Sequence, residues 1–298
     1  MQTIYESGAV RAARSAIARC VDRQGWLAVM GPVGVGKTTA VEDALQRIDG
    51  IETIWSLRLD VEGTRIGHVL ERMIEDLSDE TPRRSRVARE SQWRRIVGNR
   101  VAAGGRIVLV VEEAQALHRE TLRALKRLRE MEFAGHRPLV TIIMIGQLEL
   151  RERIRGVREV SLRVRRHSIE ALTHSEVPAY IRTAGWSASD AAVNHLAGVC
   201  HIPQELDMIL EDAQDAARLA GARQIRVEDL EQTRRQDLAA RIRTSGMKQA
   251  EIARAAGVSA ATVSQLASAR YESAGAAAAM RVEETLEGFE RGGKAKVG

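Results

Sequence analysis

Four short runs of almost unbroken apolar residues mark the first half of the chain: "GWLAVMGP" at 25–32, "ETIWSLRL" at 52–59, "RIVLVVEEAQAL" at 106–117 and "LVTIIMIGQLEL" at 139–150. Runs of this length, closed by Gly, Pro or a polar turn, predict strands buried on both faces. Between them the apolar positions recur every three or four residues, which predicts helices over 8–22, 34–48, 64–77 and 119–133. The first of these is basic and amphipathic, and a polar, arginine-rich stretch fills 81–100. Strands alternating with helices predict an α/β domain with a mostly parallel sheet over residues 1–170. From about residue 170 the strand runs stop. "HSEVPAYIRTAG", "SDAAVNHLAGVC", "PQELDMILEDAQDAARLAG" and "RVEDLEQTRRQDLAARI" all carry helical spacing. They predict a helical domain over 171–235, followed by a small all-α domain over 236–290 and an unstructured tail over 291–298.

Composition narrows the partners. The chain has 298 residues, 44% hydrophobic and 29% charged, as in soluble globular proteins, with a formal net charge of +5. Only 3% of residues are aromatic. Single-strand and sequence-specific RNA recognition lean on aromatic stacking, so duplex DNA held through its phosphates is the nucleic acid this composition suits. No apolar run approaches the roughly 20 residues that span a bilayer. The first twenty residues carry no apolar secretory segment. Two cysteines far apart, Cys20 and Cys200, fit a reducing cytoplasm. His195, Cys200 and His201 lie close in sequence, but no second ligand pair follows at zinc-site spacing.

The chemistry begins at "GPVGVGKT", Gly31 to Thr38, which fits G-x-x-x-x-G-K-[ST] between an expected strand and an expected helix. Glycines let backbone N–H groups close around phosphate, and the following helix adds its positive N-terminus. Gly31, Pro32, Val33, Gly34, Val35, Gly36, Lys37, Thr38 and Thr39 form this loop and its helix start. Lys37 is placed to reach the β- and γ-phosphates of ATP, and Thr38 to offer a hydroxyl to Mg²⁺. Such a site needs an acid at the end of another buried strand. Glu112 is the expected Mg²⁺ residue and Glu113 the expected polariser of the attacking water. Gln147, after the next strand, is placed to touch the γ-phosphate or orient the water.

This order of loop, "VVEEAQAL", "ETLRALKRLREM" and "VTIIMIGQLELRERI" resembles the AAA+ ATPases of DNA transposition, the Mu B-, TnsC- and TniB-like group. It is also similar to the ExeA family of secretion ATPases. The resemblance covers about residues 8–235. It implies an AAA+ domain with a helical lid, self-assembly into a ring or helical filament on duplex DNA, and an arginine supplied in trans to each site. That arginine falls in "SLRVRRHSIEAL": Arg163 fits best, with Arg165 or Arg166 as alternatives. DNA-lining positions implied by the family match Thr64, Arg65, His118 and Arg119 here. Two departures stand out. The first acid is Glu112 where the family usually has aspartate, and "HIPQEL" puts Gln204 where a nucleotide-sensing arginine is common.

The tail stretch "MKQAEIARAAGVSAATVSQL" has the slots of a helix-turn-helix. Ala253 is the small crossing residue and Gly257 the turn. Ile252, Val258, Val263 and Leu266 face inward, and Ser259 caps the second helix. Thr262 and Gln265 are the expected base-facing residues, while Lys248, Arg254 and Arg270 are placed for phosphates. A repressor-like helical domain is also joined to the ATPase core in Mu B-type proteins, where it precedes the core rather than following it. Together with these features, the resemblance implies an ATP-dependent DNA-binding regulator of transposition. It captures target DNA for a DDE-type transposase and is released by hydrolysis. The alternative is a nucleotide-gated transcriptional regulator that binds an operator through its tail.

Overall fold

The computed structural model describes residues 5–56, 66–269 and 276–294. Its sheet has five parallel strands: β1 (Trp26–Met30), β2 (Ile51–Ser56), β3 (Arg106–Val111), β4 (Thr141–Gly146) and β5 (Arg165–Ser168). Their spatial order is β2-β3-β4-β1-β5. After α1 (Gly8–Asp22), which precedes β1, the crossovers that parallel neighbours need are supplied by α2 (Lys37–Gln46), α3 (Ile66–Leu77), α4 (Arg86–Ala102), α5 (Arg119–Glu130), α6 (Leu150–Arg155) and α7 (Arg158–Ser161).

The apolar runs are continuous because each strand feeds two cores. On β1, Trp26, Ala28 and Met30 enter a cluster with residues of α3, α4 and α5; Leu27 and Val29 enter another with residues of α1 and α2. Ile142 and Met144 against Ile143 and Ile145 repeat the alternation on β4. The polar, arginine-rich stretch over 81–100 contains most of α4. Gln92, Trp93, Ile96 and Val97 are buried, and the arginines pair outward: Arg86 with Glu90, Arg89 with Glu71, Arg95 with Glu80. β5, "RRHS", was not expected as a strand. It is a short edge strand beside β1 whose two arginines stay exposed, so it lacks the apolar signature of the others.

The chain divides into two compact units. One takes in residues up to Glu176 together with His201–Gln204; the other takes Val177–Cys200 and the residues from Glu205 on. The second unit contains α8 (Val177–Thr183), α9 (Asp190–Val199), most of α10 (Pro203–Leu219), α11 (Val227–Thr244), α12 (Gln249–Ala256), α13 (Ala260–Ala267) and α14 (Ala276–Lys294). Asp207 ties part of it together, accepting from the Tyr180 hydroxyl at 2.7 Å and the Trp186 indole N–H at 3.0 Å. The boundary expected at 235/236 falls inside α11, an unbroken helix. Leu238 and Ile242 of α11 close a core with Ile252, Ala253, Val263 and Leu266, and with Val282 and Leu286 of α14. α14 itself runs to Lys294, into the stretch expected to be tail.

Candidate nucleotide site

The phosphate loop leaves the carboxyl end of β1 and turns into α2 at Lys37. Gly36, just before the helix, has φ of 83°, and a Cβ there would meet nothing within 4 Å. The backbone angle, not space, is what demands glycine. Gly34 has φ of 79° and is also crowded: a Cβ would stand 2.8 Å from Ile202 Cγ2 and 3.0 Å from Gln204 Cβ and Oε1. Gln204 also donates its backbone N–H to the Gly34 carbonyl at 3.2 Å. The residue at the sensing position thus sits on the loop itself, with a neutral amide in place of an arginine.

Lys37 spends two of its three N–H donors on loop carbonyls, Gly31 at 3.1 Å and Pro32 at 2.6 Å. Burial pushes its pKa down from the ordinary lysine value, while the negative Glu113 opposes the shift. The Thr38 hydroxyl donates to Glu112 Oε1 at 3.1 Å, joining the start of α2 to the end of β3. The longer acid therefore still reaches the threonine. These two hard oxygen donors suit magnesium, which selects oxygen ligands.

Glu113 lies exposed just past β3 with φ of 46°, a left-handed conformation uncommon outside glycine. Gln115 Nε2 donates to its Oε2 at 2.6 Å, and Gln115 Oε1 accepts from the backbone N–H of Gln147 at 3.0 Å. Glu112, Glu113 and Gln147, expected from three separate motifs with Lys37 and Thr38, thus stand at the carboxyl ends of β1, β3 and β4. In open parallel sheets ligands bind at that edge. Gln115, two residues after Glu113, was not expected in the site; its part depends on the end of β4 coming within hydrogen-bond reach.

Other expected residues are dispersed. Arg163 donates to the Glu159 carbonyl at 2.6 Å and pairs with Glu130 at 3.0 Å. Arg166 bonds the Ser161 hydroxyl at 2.5 Å, and Arg165 is exposed on β5. His118 and Arg119 are exposed at the start of α5. In the second unit Gln265, Lys248 and Arg254 are exposed. Thr262 is half-buried, and its hydroxyl lies 2.7 Å from Ser259 Oγ, the atom that caps α13 by accepting the Thr262 N–H at 3.0 Å. Thr64, Arg65 and Arg270 lie outside the described residues.

Residues 19–154 match the family described as "AAA domain". Comparison with curated proteins gave no match. Among solved structures, the ORC2 protein of Aeropyrum pernix, in ADPNP–ADP complexes, is 12% identical with a TM-score of 0.61, covering 94% of this chain and 79% of that one. Cdc6p of Pyrobaculum aerophilum is 13% identical with a TM-score of 0.61, covering 96% and 81%. At such identity these likenesses establish the fold. Among the described residues no helix is long and apolar enough to cross a membrane. With the family match over the same residues that carry the loop and the acid pair, residues 19–154 are an AAA-type P-loop ATPase domain, and the chain is an ATPase.

Proposed function

We propose that this ATPase is a DNA-binding regulator of transposition. ATP builds an assembly of its subunits on duplex DNA, with little sequence preference, and the assembly presents that DNA to a DDE-type transposase. Hydrolysis then releases the subunits. The observation that carries the reading is the convergence of Lys37, Thr38, Glu112, Glu113 and Gln147 at one sheet edge, in a chain that also holds a four-helix core with an exposed polar face.

Within the site, the loop from Gly31 to Thr39 wraps the phosphates with backbone N–H groups, and Lys37 swings from its carbonyl partners to the β- and γ-phosphates. Thr38 and Glu112 would hold a magnesium ion, which would supply neutralisation of the charge on the transferring phosphoryl group. Glu113 draws a proton from the attacking water. Gln147 orients that water or touches the γ-phosphate. Arg163 of one subunit stabilises charge at the site of the next, and Arg165 and Arg166 are the neighbouring alternatives. His118 and Arg119, with Thr64 and Arg65, contact DNA from the ATPase domain. α12 and α13 act as a helix-turn-helix that contacts DNA through Lys248, Arg254, Gln265 and Arg270. The cytoplasm is where such a protein would meet its DNA.

Three measurements test this. Lys37→Ala should abolish ATP-dependent binding to duplex DNA; retained binding breaks the coupling. Glu113→Gln should keep binding and stall turnover; unchanged hydrolysis removes Glu113 as the base. Negative-stain microscopy with ATP and random duplex should show rings or filaments. Isolated subunits, with footprinting confined to one defined site, would favour an operator-binding regulator instead.

A further inference from the structure

Gln115 joins two groups that have been given roles, and none has been given to it. Its amide is used at both ends: Nε2 holds Glu113 Oε2 at 2.6 Å, and Oε1 receives the Gln147 N–H at 3.0 Å. It therefore spans from the residues after β3 to the residue after β4. Gly146 makes room for the bridge, since a Cβ there would stand 2.6 Å from Gln115 Oε1 and 3.3 Å from the Gln115 backbone N. Glu113 is exposed, so surrounding packing does not fix where its carboxylate points. A flexible acid on a left-handed residue needs a specific partner to hold one direction.

We propose that Gln115 is a positioning residue for hydrolysis. It fixes the Glu113 carboxylate through Oε2 and ties its direction to the backbone at Gln147. With Oε2 engaged by the amide, Oε1 takes the proton from water as the water oxygen bonds to phosphorus and the bond to the departing ADP breaks. Because Gln147 grips the same amide, a shift of the β4 end toward a γ-phosphate moves Gln115 and hence Glu113. The inference rests on Glu113 acting as the base, as proposed above.

The test compares Gln115→Met, which keeps side-chain length but loses both hydrogen bonds, with Gly146→Ala, which pushes a methyl into the amide. Both should lower kcat by about 10- to 100-fold, within the range a misplaced general base accounts for. KM and the dissociation constant for a non-hydrolysable ATP analogue should stay within about twofold, because ground-state binding is not involved. In a Glu113→Gln background, Gln115→Met should cause no further loss. Unchanged kcat in Gln115→Met, an equal loss in the Glu113→Gln background, or a fall in analogue affinity that matches the rate loss overturns the proposal. If Glu113→Gln stalls turnover and Gln115→Met does not, only the role of Gln115 falls. If Glu113→Gln turns over normally, the base assignment falls with it.

Discussion

The backbone N–H of Gln204 donates to the Gly34 carbonyl at 3.2 Å, bringing a residue from far down the chain onto the middle of the phosphate loop. The contact also limits what residue 34 can be. Its φ of 79° costs an L-residue about 1–2 kcal/mol, and the added methyl would press on Ile202 and Gln204. Gly34→Ala should therefore drive the free loop out of this conformation, so that restoring it on ATP binding costs about 1–2 kcal/mol and ATP binds roughly tenfold more weakly, since each 1.4 kcal/mol is a factor of ten. Titration with a fluorescent nucleotide measures it. Unchanged affinity would mean that the Ile202–Gln204 segment yields and does not constrain the loop.

How much of this was legible in the sequence depends on burial. β1, β3 and β4 announce themselves because both faces are covered and, after Arg106 and Thr141 at the starts of β3 and β4, their positions are apolar or glycine. β5 is hidden because an edge strand with arginines at two of four positions has no such run. Lys37, Thr38, Glu112 and Glu113 could be placed because the chemistry of phosphate dictates their spacing. Gln115 could not, because its part depends on the end of β4 passing within hydrogen-bond reach, a tertiary fact. The expected 235/236 boundary lies inside α11 for a related reason. α11 carries buried Leu230 near its start and Leu238 and Ile242, which enter the core with α12, α13 and α14, near its end, so its helical spacing runs through 235/236 without a break.

Arg163 pairs with Glu130 at 3.0 Å, with the arginine side chain 39% exposed. Pairs this exposed contribute at most about 1 kcal/mol, so Arg163→Ala should leave the thermal midpoint nearly unchanged. Its expected effect is on assembly-dependent turnover. Mixing Arg163→Ala subunits with Glu113→Gln subunits should restore partial hydrolysis, because each supplies the part the other lacks. Absence of rescue, with Arg165→Ala or Arg166→Ala rescuing instead, would move the trans role along the strand.

Asp43 of α2 is held between two arginines from different places in the chain. Arg14 of α1 reaches its Oδ2 at 2.7 Å, and Arg47 its Oδ1 at 2.9 Å, with the Asp43 side chain 8% exposed. The Arg47 hydrogen bond foremost, opposed by burial and aided by Arg14, lowers its pKa. A depressed folded-state pKa means the stabilisation is fully present above the unfolded value of about 3.9 and is lost as pH falls through the lower folded value. Asp43→Asn should therefore cost about 1–3 kcal/mol at pH 7, as expected for losing hydrogen bonds to a charged group. The gap to wild type should close below about pH 4. Urea melts at several pH values read both numbers. A gap that stays constant with pH would assign the loss to packing rather than charge.

The helical tail unit makes the sharpest separation between DNA and protein as its partner. Its core is secure: Ile252, Val263 and Leu266 are fully buried, and Ser259 caps α13. Surface variants should therefore not unfold it. With Thr262 half-buried beside the Ser259 cap, Gln265 is the more exposed of the two expected base readers, and a single amide confers little preference on random duplex. Gln265→Ala should leave affinity for random duplex within about twofold. Lys248→Ala and Arg254→Ala should each weaken binding uniformly across sequences. Each should also reduce the slope of log K against log salt by about 0.9, as expected when one fewer phosphate is neutralised. If both slopes match wild type while transposase stimulation falls, the exposed face of α12 and α13 meets the transposase, and the DNA contacts belong to the ATPase domain alone.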